Sequence, residues 1–283
     1  MRASDVYQDL EKDFIAKGLS DDWARHMGSV VDYLCDNFKI RSMGLVCDFT
    51  EEITKIYTAV FPSKKIMNEI IHDNVKDAML FVHHPSIWDI RNAPQEFQQI
   101  DKGLLEKFKQ RRIAIYNLHV PLDNNGVYST SMTLTKTFGI VPEKYFCPYF
   151  GALCGIIGTA EDATIGELKI KLENAVGHSA SHYPYSDEII RGRKIAVIAG
   201  GGFEVEMLEE IAINQVNAFI TGITATTPYS RNAHEFAKKH NINLLGATHY
   251  STEKFACIAM CDYFEKLKLP ARFICDDPVL EDM

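Results

Sequence analysis

No stretch of this 283-residue chain is apolar for long enough to cross a bilayer as a helix. The longest candidate, from Tyr145 to Ala160, is broken by Pro148 and three glycines. Basic residues do not outnumber acidic ones: 30 Lys and Arg against 38 Asp and Glu give a formal charge of −8. That balance argues against general nucleic-acid or anionic-membrane binding, because phosphate attraction needs a basic surface. There is no CxxC pair, and the seven cysteines are scattered and odd in number. A disulfide scaffold is not expected, and a reducing compartment fits better. The opening MRASDVYQDLEKDF lacks the apolar core of a signal peptide, so a cytoplasmic protein is expected. No GxSxG nucleophile motif occurs, and no low-complexity linker divides the chain.

What is present suits a folded chain of one large or two smaller domains: 46% hydrophobic and 24% charged residues. The first 40 residues read as helical, with apolar groups such as Leu10, Phe14, Trp23, Met27 and Val30 at spacings of three and four. A strand–helix rhythm follows. Strands are expected over Ile53–Phe61, Ala78–His83 and Ile113–Leu118, with Ser63 capping an intervening helix and a further helix over Pro94–Arg111. A second rhythm places strands at Leu153–Ile157, Lys194–Ala199, Ala218–Thr221 and Ile242–Gly246. Helices separate them, and a long one follows over Thr252–Leu267. The acidic stretch at the end reads as loose.

Strands alternating with helices of this length imply parallel pairing with helical crossovers. The fold class expected is α/β: two halves with related strand–helix repeats and mixed, largely parallel sheets. The halves divide at about 1–140 and 141–283, and with no low-complexity linker between them they can interlock.

In open α/β sheets, ligands gather beyond the carboxyl ends of the strands. Three of the expected strands end in ionisable groups. The first end is His83-His84-Pro85, the second is His119-Val120-Pro121-Leu122-Asp123, and the third is His249-Tyr250-Ser251-Thr252-Glu253. A lone histidine at a strand end is commonly a hydrogen-bonded structural group. Three such ends in one chain point instead to a divalent metal site, since imidazole and carboxylate suit Zn, Mn or Fe. Adjacent His83 and His84 can serve different ions, and Glu253 has two oxygens with which to bridge them. Two such ions generate hydroxide and clamp a leaving oxygen.

The motifs FVHHPSIWD (81–89), HVPLD (119–123), AFITG (218–222) and THYSTE (248–253), in that order, resemble those of the Nif-three-like dinuclear metal proteins, homologues of type 2 GTP cyclohydrolase I. The resemblance spans about residues 50–265. It implies that His83 and Asp123 hold one ion, that His84 and His249 hold the other, and that Glu253 bridges them. It places His119 beside the site, in a proton-transfer or supporting role. It also implies two intertwined α/β halves with the metals between them, often assembled as a ring-shaped homohexamer. The chain departs from the family at Ile223, where an acidic residue is usual, at Thr248-His249 in place of Gly-His, and at Met43-Gly44-Leu45 in place of a longer Trp-Asp-Asn segment. These departures bear on the substrate pocket and remove no expected ligand.

The function expected is metal-dependent hydrolysis by metal-bound hydroxide of a small polar or nucleotide-like substrate, GTP cyclohydrolase-like by resemblance. His119 and Glu253 are the expected catalytic residues, and two divalent ions (Zn, Fe or Mn) the expected cofactors. The rival readings are a non-catalytic, metal-stabilised oligomer that presents a surface to partner proteins, and a metallophosphatase sharing only the site chemistry. Gly200-Gly201-Gly202 reads as a tight turn or a phosphate cradle, with no placement relative to the metals. His178 and His182 fall in an expected loop over 177–186. His72, His234 and His240 read as surface groups. Cys257 and Cys261 read as packing, as does Trp88, with Asp89 beside the pocket.

Overall fold

The computed structural model describes residues 1–88 and 97–283. The chain opens with α1 (Ala3–Phe14), α2 (Asp36–Arg41), β1 (Gly44–Cys47), β2 (Lys55–Ala59), α3 (Lys64–His72) and β3 (Ala78–Val82). Next come β4 (Ile87–Trp88), β5 (Phe97–Gln98), α4 (Lys102–Arg111), β6 (Ile113–Asn117), α5 (Val120–Asp123) and α6 (Thr130–Thr137). After these follow β7 (Val141–Tyr149), β8 (Ala152–Thr159), α7 (Ile165–Val176), β9 (Ser181–Tyr183), β10 (Lys194–Ile198) and α8 (Val205–Ile213). The chain closes with β11 (Ala218–Thr221), α9 (Arg231–Lys239), β12 (Asn243–Gly246), α10 (His249–Lys266) and β13 (Ala271–Phe273).

Two mixed sheets result. The first has the order β1-β6-β3-β2-β13, parallel except for β1. The second has the order β7-β8-β10-β11-β12-β9, with a parallel block β10-β11-β12 and antiparallel edges. Each sheet therefore holds three parallel strands in sequential order, as the repeated rhythm implied. The parts interlock: β13 pairs with β2, and α10 packs Ala256, Met260 and Phe264 onto Ile56, Phe81 and Tyr116 of the first sheet.

Side chains alternate across a strand, and both faces of each sheet are covered. Leu80 and Val82 enter one core while Met79 and Phe81 enter another. Val197 and Ile220 lie on one side of the second sheet, Ala196 and Phe219 on the other. Local signals set the helix ends. Ser63 and Asp101 accept from Ile66 N and Leu104 N, Thr164 and Glu167 form a reciprocal capping box, and Gly177 closes α7 at φ 85°.

Several expectations give way. Most of the first 40 residues are not α-helix: between α1 and α2 the chain makes 3-10 turns at Trp23–His26 and Gly28–Tyr33. Apolar groups three apart serve a 3-10 turn as well as an α-helix. Within the expected 177–186 loop, Ser181–Tyr183 pairs with β12. The expected Pro94–Arg111 helix starts at Lys102, and its first residues, like Asp89 and the Trp88 side chain, lie outside the described residues. The last helix begins at His249, three residues earlier than expected, which places His249 and Glu253 one turn apart on it. The acidic end is not loose, since Asp282 is buried.

Candidate metal centre

The ends of β3, β6, β10 and β12 converge. His83 and His84 follow β3, and their backbone N–H groups donate to Ala59 and Val60 carbonyls at 3.2 and 2.9 Å. The chain leaves β6 through His119 into the single turn of α5, which ends on Asp123. β12 runs through Thr248 into α10, which carries His249 and Glu253. Gly200 follows β10, and a Cβ there would meet Glu253 Oε1 at 2.0 Å. Its φ of +76° and this approach both require glycine. The glycine turn therefore lies against the candidate site.

His83, His84, Asp123, His249 and Glu253 are all brought together and buried. His83 Nε2 lies 3.4 Å from both Asp123 Oδ1 and Glu253 Oε1. His84 Nε2 lies 2.9 Å from Glu253 Oε2 and 3.1 Å from His249 Nε2, which is itself 3.1 Å from Glu253 Oε1. Potential ligand atoms fall into three groups, each within 4.8 Å: His83, Asp123 and Glu253; His84, His249 and Glu253; and His83, His84 and His119. The third was not foreseen from the sequence.

Three observations fit a cation. First, His84 Nε2 and His249 Nε2 each face a Glu253 oxygen that can only accept, and if both carry the proton this needs they confront each other as two donors at 3.1 Å. Second, among the described residues His83 Nε2 and His84 Nδ1 are buried without a hydrogen-bond partner. Such a group costs about 1–3 kcal/mol unless something satisfies it, and for His83 Nε2 a cation would do so. Third, a tetrahedral shell with bonds of about 2.0–2.2 Å sets neighbouring ligand atoms roughly 3.3–3.6 Å apart. The 3.1 and 3.4 Å separations approach that spacing. The other ring nitrogen of His83 is already committed: Nδ1 donates to Leu118 O at 2.9 Å, leaving Nε2 as the lone pair of the neutral ring. Thr130 Oγ1 donates to Asp123 Oδ1 at 2.8 Å.

The electrostatics of the cluster are those of charges held close. Burial disfavours the charged form of His83, but Asp123 and Glu253 outweigh it and push the pKa up to about 9. Burial, together with His83 and His119, holds His84 well below the usual imidazole range despite Glu253. His249 is raised, because Glu253 overcomes the burial of its ring. Burial raises Asp123 against the pull of His83 and His119. Burial alone would raise Glu253, yet three imidazoles hold it well below the usual carboxylate range.

His119 stands beside this cluster, its Nε2 3.7 Å from Asp123 Oδ2. Its Nδ1 is 2.9 Å from Asp21 Oδ2 and 2.9 Å from Trp23 Nε1. Protonated, Nδ1 donates to Asp21; unprotonated, it accepts from the indole N–H. Asp21 and Trp23 escaped the sequence reading because an irregular turn delivers them. The one available signal was a pair of aspartates beside a tryptophan. The cluster opens into a cleft of about 390 Å³, walled by Trp23, Tyr149, Phe150, Gly201, Gly202 and Tyr229, with Arg25 and His26 at its edge.

The remaining histidines and the thiols belong to no candidate metal group among the described residues. His234 is buried, not on the surface as expected, with its ring nitrogens near Tyr185 Oη and Thr224 O at 3.1 and 3.0 Å. It shares the buried face of α9 with Ala233 and Ala237, and Tyr183 and Phe203 cover it from elsewhere in the fold. His178 Nε2 is 2.8 Å from Ser251 Oγ. His72 and His240 are exposed. Cys257 donates to Ala59 O, Cys261 lies by Thr58 Oγ1, and neither belongs to a candidate metal group among the described residues.

Known proteins share this arrangement of chain. A GTP cyclohydrolase 1 type 2 homolog of Borreliella burgdorferi is 26% identical over 234 residues, which cover 81% of this chain and 86% of that one. One of the same name from Archaeoglobus fulgidus is 29% identical over 257 residues, covering 88% and 97%. Among solved structures, the protein ybgI, described as of unknown function, superposes with a TM-score of 0.76 at 20% identity over 99% of this chain and 100% of its own. That last likeness speaks to the fold alone. The sequence profile of Duf34/NIF3 (NGG1p interacting factor 3) matches residues 34–278, and the chain belongs to that family.

Proposed function

We propose that the chain is a metal-dependent hydrolase with two divalent cations, Zn, Fe or Mn, acting on a small polar or nucleotide-like substrate. His83 and Asp123 would hold one cation and His84 and His249 the other, with Glu253 within reach of both. The observation that carries this reading is the convergence of these five buried side chains on the floor of an open cleft. Two cations in such a site supply electrophilic polarisation and lower the pKa of water there.

The chain's own groups do the rest. Asp123 and Glu253 offset the positive charge. The aromatic wall of Trp23 and Tyr149 excludes water and offers flat faces to a ring. His119 moves the proton at Nε2. With Nδ1–H donated to Asp21, Nε2 is a base. Once Nε2 has taken a proton the ring is an imidazolium, with Nδ1–H still donated to Asp21, and Nε2–H is then an acid. One residue can thus take a proton from water and return it to a leaving group. The relatives' name makes GTP the first substrate to try, with water adding at the imidazole-ring carbon of the purine. A ring-shaped homohexamer is part of the same reading. It rests on the family resemblance, and light scattering tests it.

The test is to load metal-free protein with each cation and incubate it with GTP and with a panel of phosphoesters. Loss of the purine absorbance pattern without phosphate release supports cyclohydrolase-type ring opening. Phosphate release instead would point to a metallophosphatase. No change in any substrate, with both ions bound, would overturn the hydrolase reading and favour a metal-stabilised interaction protein.

A further inference from the structure

The entry to α10 is strained. Thr248, a β-branched residue, sits at φ 62° and ψ 151°, a region that glycine alone enters readily. Such a backbone persists only where its surroundings hold it, and His249 and Glu253 both depend on the turn that begins there. Part of the hold is local: Thr248 Oγ1 accepts from Ser251 N at 3.1 Å, and Thr252 Oγ1 donates to Thr248 O at 3.0 Å. The N–H of His249 itself, the first of the helix, has no acceptor within α10. Asp282 supplies one. Its Oδ2 accepts from His249 N at 2.9 Å, and its side chain is buried in a short turn over Leu280–Asp282.

Asp282 is itself pinned. Its carbonyl accepts from Thr224 N at 2.7 Å and Ala225 N at 2.8 Å, in the loop that leaves β11. One residue therefore ties that loop to the first turn of α10. A carboxylate at a helix N-terminus also matches the positive end of the helix dipole. We propose that Asp282 is a positioning residue for the candidate metal centre: by accepting from the His249 N–H it holds the strained entry to α10, and with it the aim of His249 and Glu253. The inference rests on reading the cluster as a metal site.

The full-length chain tests it. Metal-free wild type, Asp282→Asn, Asp282→Ala and Asp282→Ala/Thr248→Gly are titrated with Zn²⁺ against a competing chelator. Absorption of the Co²⁺-loaded forms reports coordination geometry, and circular dichroism reports folding. Asparagine keeps an oxygen acceptor, so Asp282→Asn is expected to bind within about 3-fold of wild type. Loss of a supporting contact typically weakens a metal site 10–100-fold, and Asp282→Ala is expected to lose that much for one of two ions, with an altered Co²⁺ spectrum. Glycine at position 248 removes the strain but also the Thr248 Oγ1 cap on Ser251 N, so the double variant is expected to fold and to recover part of the lost affinity, even if Asp282→Ala alone folds poorly. Wild-type binding and spectrum in Asp282→Ala would overturn the inference and leave the metal reading standing. So would a folded double variant with no recovery. A wild-type chain that takes up no metal would overturn the metal reading first, and the inference with it.

Discussion

Replacing Gly200 by alanine is the most localised perturbation of the candidate site, because the added methyl has no other place to go. Its Cβ would stand 2.0 Å from Glu253 Oε1, 2.9 Å from Glu253 Cδ and 3.2 Å from His249 Cδ2. Ordinary carbon–oxygen contact needs about 3.2–3.4 Å, so the carboxylate must retreat by more than about 1 Å. Metal-ligand distances tolerate only about 0.2 Å. The residue cannot escape by backbone relaxation alone. Gly200 N donates to Thr252 Oγ1 at 2.9 Å, and Gly200 O accepts from Gly222 N and Ile223 N. Alanine at φ +76° adds a cost of about 1–2 kcal/mol to folding. Gly200→Ala is therefore expected to fold with a melting temperature lowered by a few degrees. Its metal affinity should fall at least 100-fold, about 2.7 kcal/mol. The assay is chelator competition with elemental analysis of the dialysed protein. A Gly200→Ala chain that holds metal as tightly as wild type would refute the placement of Glu253 between the ions.

Glu253→Gln keeps the shape of the side chain and removes its charge. It should abolish turnover and weaken binding of both ions while the chain stays folded and assembled, as read by activity, metal content and light scattering; collapse of the assembly would favour a structural role. Asp21→Asn should favour the wrong tautomer of His119 by offering an N–H to Nδ1. Turnover is expected to fall 10²–10⁴-fold with metal content unchanged, and ¹⁵N shifts of His119 report the tautomer. Metal uptake should depend on pH with a definite sign. His83, pushed up to about 9, must lose a proton to become a ligand, so apparent affinity should rise from pH 6.5 towards 9 and loading should release protons in weak buffer. Affinity flat across that window would contradict the assigned role of His83.

The site was legible where chemistry interrupts a regular pattern. His83-His84 breaks a run of buried apolar residues at a strand end, and His249 follows the end of another expected strand. Strand position places such groups before any tertiary contact is known, whereas the shared helix face of His249 and Glu253 was not read, because the helix was expected to begin only at Thr252. Asp21 and Trp23 were not legible, because nothing local to them marks a partner and their value lies in meeting His119 from 98 and 96 residues away. Gly200 could be seen as a turn, but its closeness to Glu253 depends on the first turn of α10 meeting the end of β10, where Gly200 N donates to Thr252 Oγ1. Asp282 stands in a short acidic stretch whose composition resembles loose chain, and only the β11 loop and the first turn of α10 give it a burial site. β1, four residues long, was likewise too short to announce itself, and β9 owes its pairing to the exposed edge of β12.

The central claim is that segments distant in sequence converge to bind two cations. Elemental analysis of metal-loaded, dialysed protein, for wild type and for His83→Ala, His84→Ala and His249→Ala, tests it directly. About two ions per wild-type chain, with a drop in each folded variant, is the predicted result. A folded wild-type chain that takes up neither Zn²⁺, Mn²⁺ nor Fe²⁺, or variants that keep the full complement, would contradict it.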